Sequence, residues 1–230
     1  RFIEWGLPAE KVMLEEYGRT ATAGPVPPED RPRRDRLAFF GQLSPYKGVD
    51  VLLEAMRELG RERRRGGAGG PRLRVHGANL DLQEHAFQER FHRLLDETRD
   101  AVTYAGEYTH AQQSGLMAAA DWVIVPSIWW ENSPLVIQEA FMHGKPVICS
   151  DIGGMAEKVA DGVNGLHFRV GDPVSLARVI ERAVESPALW DALRAGIPAV
   201  HGMADHVPVI EDAYERLLAQ RAAAWEVEAL

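Results

Sequence analysis

Short apolar runs alternate with longer stretches of helical period from residue 37 onward. Leu37-Ala-Phe-Phe40 stops at Gly41, and Val49, Val51, Leu52, Leu53, Met56 and Leu59 then recur on one helical face. Leu73-Arg-Val75 stops at His76-Gly77, ahead of Phe87, Phe91, Leu94 and Leu95 at helical spacing. Val102-Thr-Tyr104 ends at Gly106 before a helical run to Ala120. Trp122-Val-Ile-Val125 stops at Pro126, Leu135 to Met142 reads as helix, and Val147-Ile-Cys149 as strand. Gly165-Leu-His-Phe168 predicts a last strand, with a helix over Pro173 to Val184. The alternation predicts an α/β fold, a Rossmann-like parallel sheet with helices on both faces.

The flanks read differently. Lys11-Val-Met-Leu14 has the pattern of a possible first strand, and residues 20–35 are Pro- and Arg-rich, as in a connecting loop. Val207, Ile210, Ala213, Tyr214, Leu217 and Leu218 describe one amphipathic C-terminal helix. The expected division is a connection over 1–35, a Rossmann-like domain over 36–205 and a terminal helix over 206–230.

Composition narrows the class. The chain has 230 residues, 46% hydrophobic and 26% charged. With about 100–200 residues in a typical domain, that is one large globular domain or two small ones. A net charge of −8 argues against nucleic acid or an anionic membrane as partner. The single cysteine, Cys149, lies in an apolar strand and reads as a core residue in a reducing compartment. The longest apolar stretch, Leu116 to Trp130, is broken by Asp121, Pro126 and Ser127, so no integral membrane segment is expected. Arg1-Phe-Ile-Glu-Trp-Gly6 has no signal-peptide pattern, and a cytoplasmic location follows as the expectation. Because the first residue is Arg1 instead of Met, the chain is expected to be a piece of something longer.

In an open α/β sheet, ligands bind beyond the carboxyl ends of the strands. Three such ends carry candidate chemistry. Gly41-Gln-Leu-Ser-Pro-Tyr-Lys47-Gly48 opens a helix, and its glycines and Lys47 suit a phosphate; a plain loop with a solvated lysine fits equally. In Glu131-Asn-Ser-Pro-Leu-Val-Ile-Gln-Glu139, Asn132 or Ser133 can cap a helix whose first turn holds Pro134. Free N–H groups at Ser133, Leu135 and Val136 would then form an anion site. Glu139 falls among Leu135, Val136, Ile137 and Phe141, where a carboxylate needs hydrogen-bond donors. A ribose diol offers two, and a hexose hydroxyl suits Glu131. The alternative is a first-turn glutamate favouring the helix dipole and a second facing solvent. The third end, Ser150-Asp-Ile-Gly153-Gly154, carries paired glycines that permit close backbone approach to a ligand, or simply a turn.

Phe39-Phe-Gly-Gln-Leu-Ser-Pro-Tyr-Lys-Gly48, the Glu-x(7)-Glu of Glu131 and Glu139, and Gly153-Gly-Met-Ala-Glu-Lys-Val-Ala-Asp-Gly-Val-Asn-Gly165 together resemble the retaining glycosyltransferases of family four. The resemblance is to the C-terminal, donor-binding half of a GT-B enzyme, and its motifs run from about residue 37 to 170. It implies that Lys47 neutralises the donor diphosphate, that Glu131 binds the transferred sugar near its anomeric carbon, and that Glu139 takes the ribose hydroxyls. Backbone amides from Ser133 to Val136 would hold phosphate and sugar, Gly41, Gln42, Gly153 and Gly154 would border the donor, and Gly106-Glu-Tyr108 would meet the base. Many such enzymes carry arginine directly after the first glycine, where this chain has Gln42; that leaves Lys47 as the main cation.

Other signals carry less. Gly66-Gly-Ala-Gly-Gly70 follows a helix and reads as a surface connection. The eight histidines form no short-spaced ligand set with cysteine or carboxylates and no Asp-x-Asp triplet occurs, so neither a metal nor another cofactor is expected. His110 and His143 read as helix-terminal residues near the cleft. Trp129 and Trp130 suit stacking on base or sugar, packing beneath the Glu131 loop, or a face toward the missing partner domain. The expectation is a retaining hexosyltransferase whose partners are a nucleotide-sugar donor and a missing N-terminal acceptor domain, the chain alone being inactive in transfer. A nucleotide-sugar epimerase and a nucleotide-binding module without transfer activity are the alternatives.

Overall fold

The computed structural model describes residues 2–20, 33–63 and 70–228. Most of the Pro- and Arg-rich connection and of the Gly66–Gly70 run lie outside the described residues. The chain divides into two compact units: residues 22–199, and the two chain ends, 1–21 with 200–230.

The larger unit is built on six parallel strands: β1 (Arg36–Gln42), β2 (Arg72–Ala78), β3 (Val102–Gly106), β4 (Trp122–Val125), β5 (Val147–Ser150) and β6 (Gly165–Phe168). Their order in the sheet is β3-β2-β1-β4-β5-β6. Each strand expected from residue 37 onward is present, the central ones as short apolar runs buried on both faces and the edge strand β3 as a half-exposed one. β4 and β5 are buried at every position. The connections are α1 (Val49–Arg63), α2 (His85–Thr98), α3 (His110–Ala118), α4 (Leu135–Met142), α5 (Gly153–Lys158), α6 (Pro173–Glu185) and α7 (Pro187–Ala195). Leu37, Phe39, Leu52, Val75, Trp122 and Ile148 are among the core residues. Trp190 of α7 joins them, its Nε1–H donating to the Asp121 carbonyl at 2.8 Å. Cys149 is buried, and desolvation pushes its thiol well above the usual range, as suits an inert core residue.

Four details differ from the sequence reading. α3 stops at Ala118, two residues short of the expected end. α5 and α7 are additional helices: the Gly153-Gly154 pair begins the first, and Ser186 caps the second by accepting from the Leu189 amide. Lys11-Val-Met-Leu14 is not a strand. Lys11 closes a 3-10 turn over Ala9–Lys11, and Val12 then runs extended without a sheet neighbour among the described residues.

In the smaller unit the N-terminal segment meets α8 (Met203–Glu228) through an isolated parallel bridge between Arg19 and Gly202. No helix among the described residues is long and apolar enough to cross a membrane.

The strand order reverses direction between β1 and β4, so their carboxyl ends splay apart and open a crevice. The two loops that rim it follow Gln42 and Val125.

Candidate functional site

The loop after β1 folds as a 3-10 turn over Pro45–Lys47, and Gly48 then takes a left-handed conformation, φ +66°, before α1. A Cβ at Gly48 would stand 1.9 Å from the Pro126 carbonyl oxygen, so only glycine lets this loop lie against the end of β4. The Ile128 amide donates to the Tyr46 carbonyl at 2.9 Å and joins the two loops a second time. Lys47 Nζ consequently reaches across the crevice to Glu131 Oε1 at 2.6 Å. Ser127, buried at the end of β4, donates its hydroxyl to the same oxygen at 2.8 Å. The carboxylate is therefore held in one orientation by a cation and a hydroxyl.

The Glu131 backbone is held from the other side. Its carbonyl accepts the Gly154 amide at 2.6 Å, and a Cβ at Gly154 would come within 2.2 Å of the Asn132 carbonyl oxygen. The close approach permitted by Gly153-Gly154 is, in the structure, an approach to the Glu131–Asn132 backbone. α4 then begins at Leu135 with Pro134 as its N-cap, and neither Asn132 nor Ser133 makes the expected side-chain cap. Proline has no side-chain acceptor, so the opening amides of Leu135 and Val136 are left to other partners. Ser133 Oγ is buried and hydrogen-bonded to nothing among the described residues.

Glu139 lies on α4 a turn further in. Gln113 of α3 donates its side-chain amide to Glu139 Oε2, and His110 Nδ1 lies 3.2 Å from the other end of that amide, Gln113 Oε1. The donor that a carboxylate among apolar neighbours requires is thus supplied by α3. α3 is itself positioned by a capping box between Thr109 and Gln112. The Thr109-x-x-Gln112 spacing was the one sequence signal that could have brought Gln113 forward. His110 and His143 do end helices, and His143 Nε2 lies 2.9 Å from Ser114 Oγ.

Two cavities open along the crevice. One, of about 310 Å³, is lined by Gln42, Ser44, Tyr46, Lys47, Trp129 and Glu131. The other, of about 420 Å³, is bordered by Gly41, Gln42, Tyr108, Gln113 and Glu139 among others. Gln42 belongs to both. Tyr108 packs edge-on against Phe40 at 5.5 Å, and burial, with the Glu139 carboxylate second, raises its phenol above the usual value. Trp129 and Trp130 are more than half exposed; Trp129 stands edge-on to Tyr46 at 5.7 Å, so neither packs beneath the Glu131 loop. Gln113 and Ser127 were not anticipated from sequence.

The sheet is a Rossmann-like α/β domain whose acid–base pair stands at the switch point, where open sheets of this class bind their ligands. Residues 34–186 match the model of the family Glycosyl transferases group 1, and the chain belongs to that family. A D-inositol 3-phosphate glycosyltransferase of Nocardioides sp. is 33% identical over 173 residues, 70% of this chain and 36% of that protein. A glycogen synthase of Mycobacterium tuberculosis is 31% identical over 160 residues, 69% of this chain and 36% of that one. This chain spans between about a third and a half of the length of such relatives. Among solved structures, Anabaena Alr3699/HepE in complex with UDP and glucose superposes with a TM-score of 0.75 at 23% identity, covering 93% of this chain and 59% of that one. Sucrose-phosphate synthase of Thermosynechococcus elongatus gives 0.72 at 25% identity, covering 88% and 52%. The Rossmann-like fold is that of GT-B glycosyltransferases.

Proposed function

We propose that this chain is the donor-binding domain of a retaining glycosyltransferase of family four, a hexosyltransferase whose acceptor domain precedes it in a longer protein. The observation that carries the reading is the Lys47–Glu131 pair across the switch point, beside two cavities that share Gln42. The diphosphate lies by Lys47 and the opening amides of α4, with Ser133 Oγ as a further donor. Glu131 takes a hydroxyl of the transferred sugar, and Glu139 takes the ribose diol beside Tyr108. As the sugar departs, charge builds on the diphosphate, and a cation with preformed N–H groups stabilises it there. The leaving charge is met by protein groups on this reading, with neither metal nor other cofactor. Acceptor binding falls to the preceding domain, so donor binding without efficient transfer is expected of this chain.

The test is calorimetry of the 230-residue chain with UDP, GDP and ADP. UDP comes first because the superposing Anabaena protein was solved with it. Binding of one nucleotide at one site per chain, weakened at least tenfold by Glu139→Gln, is the expected result. No binding of any of the three, or binding indifferent to Glu139→Gln, would overturn the reading.

A further inference from the structure

The two chain ends bring Glu15 to a pair of histidines, His201 and His206, at the far end of the sequence. Glu15 and His206 are 191 residues apart in sequence, yet His206 Nδ1 lies 3.1 Å from Glu15 Oε1. His201 Nε2 approaches the same oxygen at 3.0 Å. One ligand atom from each of the three residues falls within 4.8 Å of the others. The imidazole rings are nearly perpendicular, at 88°, with centroids 5.9 Å apart. They converge on the oxygen instead of stacking on one another.

The surrounding backbone fixes this convergence. The Arg19 amide donates to the His201 carbonyl at 3.0 Å, and the Met203 amide donates to the Arg19 carbonyl at 3.1 Å. Gly18 packs so closely that a Cβ there would stand 2.5 Å from His206 Cβ. His206 itself is anchored in the first turns of α8, its amide donating to the Gly202 carbonyl at 3.0 Å. Neighbouring Asp205 is turned to another task, accepting from the Gly202 amide.

Hydrogen bonding leaves the cluster incompletely explained. His201 Nε2 is buried and makes no hydrogen bond of acceptable geometry, although the Glu15 oxygen is at contact distance. It is a polar nitrogen aimed at a carboxylate but not aligned with it as a donor. A cation between that nitrogen and the carboxylate oxygen would use a lone pair of each.

We propose that Glu15, His201 and His206 are the protein ligands of a zinc ion that clips the N-terminal segment to the start of α8. Two imidazoles and one carboxylate, without thiolate, form a borderline-hard set suited to zinc. Ligand atoms at about 2.0–2.1 Å from a tetrahedral ion lie about 3.3 Å from one another, so contacts of 3.0 and 3.1 Å need only small side-chain adjustments. The fourth position is left for water. The two ends of the chain contribute ligands jointly, so binding stabilises their association. The site shares no residue with the Lys47–Glu131 cleft.

The test uses the full, untagged chain, stripped with chelator and titrated calorimetrically with zinc chloride. One equivalent is expected, with affinity reduced at least tenfold by Glu15→Gln and by His206→Gln, and unchanged by His85→Gln on α2. No stoichiometric binding, or an equal loss in the His85→Gln chain, would overturn the proposal. Hydrogen exchange on the unsubstituted chain guards against variants that fail to fold. Zinc should slow exchange of the Arg19 and Met203 amides at least tenfold, and unaltered rates at both would refute the clip.

Discussion

Lys47 Nζ and Glu131 Oε1 stand 2.6 Å apart although 84 residues separate them and each follows a different strand. The pair spans the point at which the sheet changes direction. It is only partly exposed, and Ser127 fixes its acid from below. A cation already in contact with a carboxylate presents a donor diphosphate with a reduced net charge. What it gains is position, because neither side chain must be ordered when the donor arrives.

Replacing Lys47 with methionine tests how much of that charge reaches the ligand. Affinity for a nucleoside diphosphate should fall about tenfold, the worth of one charge-assisted hydrogen bond. Affinity for the nucleoside without phosphates should not change. The unfolding free energy should fall by less than about 1 kcal/mol, because a partly solvated ion pair contributes little to stability. Calorimetry and urea denaturation measure the two. Equal weakening of nucleoside and diphosphate would place Lys47 away from the phosphates.

Gly48 carries the geometry of the same loop. Gly48→Ala combines a left-handed backbone, φ +66°, with a Cβ 1.9 Å from the Pro126 carbonyl oxygen. Strain and overpacking together should lower stability by about 2–4 kcal/mol. Gly60 on α1 is the contrast, since its Cβ would meet nothing within 4 Å. Gly60→Ala should raise stability by about 0.5–1 kcal/mol through helix propensity. Urea denaturation of the two variants should therefore give opposite signs. A Gly48→Ala chain as stable as the parent would show that the loops are not in contact.

The strands were legible because each holds a short apolar run with glycine or proline in it or beside it, a local signal. α7 was not, since only Trp190 and Leu193 of its nine residues are buried and the apolar period is too short to register. α5 was hidden by its own opening residues: two glycines are poor helix formers, and the reason for them is the Glu131–Asn132 backbone, twenty-two residues earlier in the chain. The candidate site divides in the same way. Lys47, Glu131 and Glu139 could be picked out singly by type and position. Their partners Ser127 and Gln113 could not, because the Gln113–Glu139 contact exists only once α3 and α4 are packed side by side.

Lys145 yields a pH signature. It is buried, its Nζ donates to the Ala118 carbonyl at 3.0 Å, and desolvation lowers its pKa to about 8. The unfolded chain keeps the ordinary lysine value of 10.5, so between about pH 8 and 10.5 it binds more protons than the folded one. Stability from this group must then rise with pH across that window, as the burial penalty on the charged form is relieved. Below pH 8 the penalty is present in full. The burial-raised Cys149 thiol pulls the opposite way above its unfolded value of 9.0, so the comparison is made against Lys145→Met. The parent should gain stability relative to that variant from pH 8 to 10.5, measured by denaturant midpoints. A constant difference would mean that the amine is solvated.

Gln42 is the position at which the site can be strengthened. It is exposed at the end of β1 and lines both cavities. Its neutral amide can donate to a phosphate oxygen but brings no charge, while Lys47 is already engaged with Glu131. An arginine there would present a planar, permanently charged fork without desolvating anything that is now buried. Gln42→Arg should tighten nucleoside diphosphate binding about three- to tenfold at low ionic strength. The gain should shrink as added salt screens the exposed charge. Nucleoside binding should stay the same, which separates a phosphate contact from a general change in the cleft. The competing outcome is capture of the new guanidinium by Glu131 or Glu139. That would weaken the diphosphate and, in the second case, the nucleoside as well. Calorimetry with nucleoside and diphosphate at two salt concentrations distinguishes these results, and a diphosphate affinity unchanged at both would show that the diphosphate does not pass Gln42.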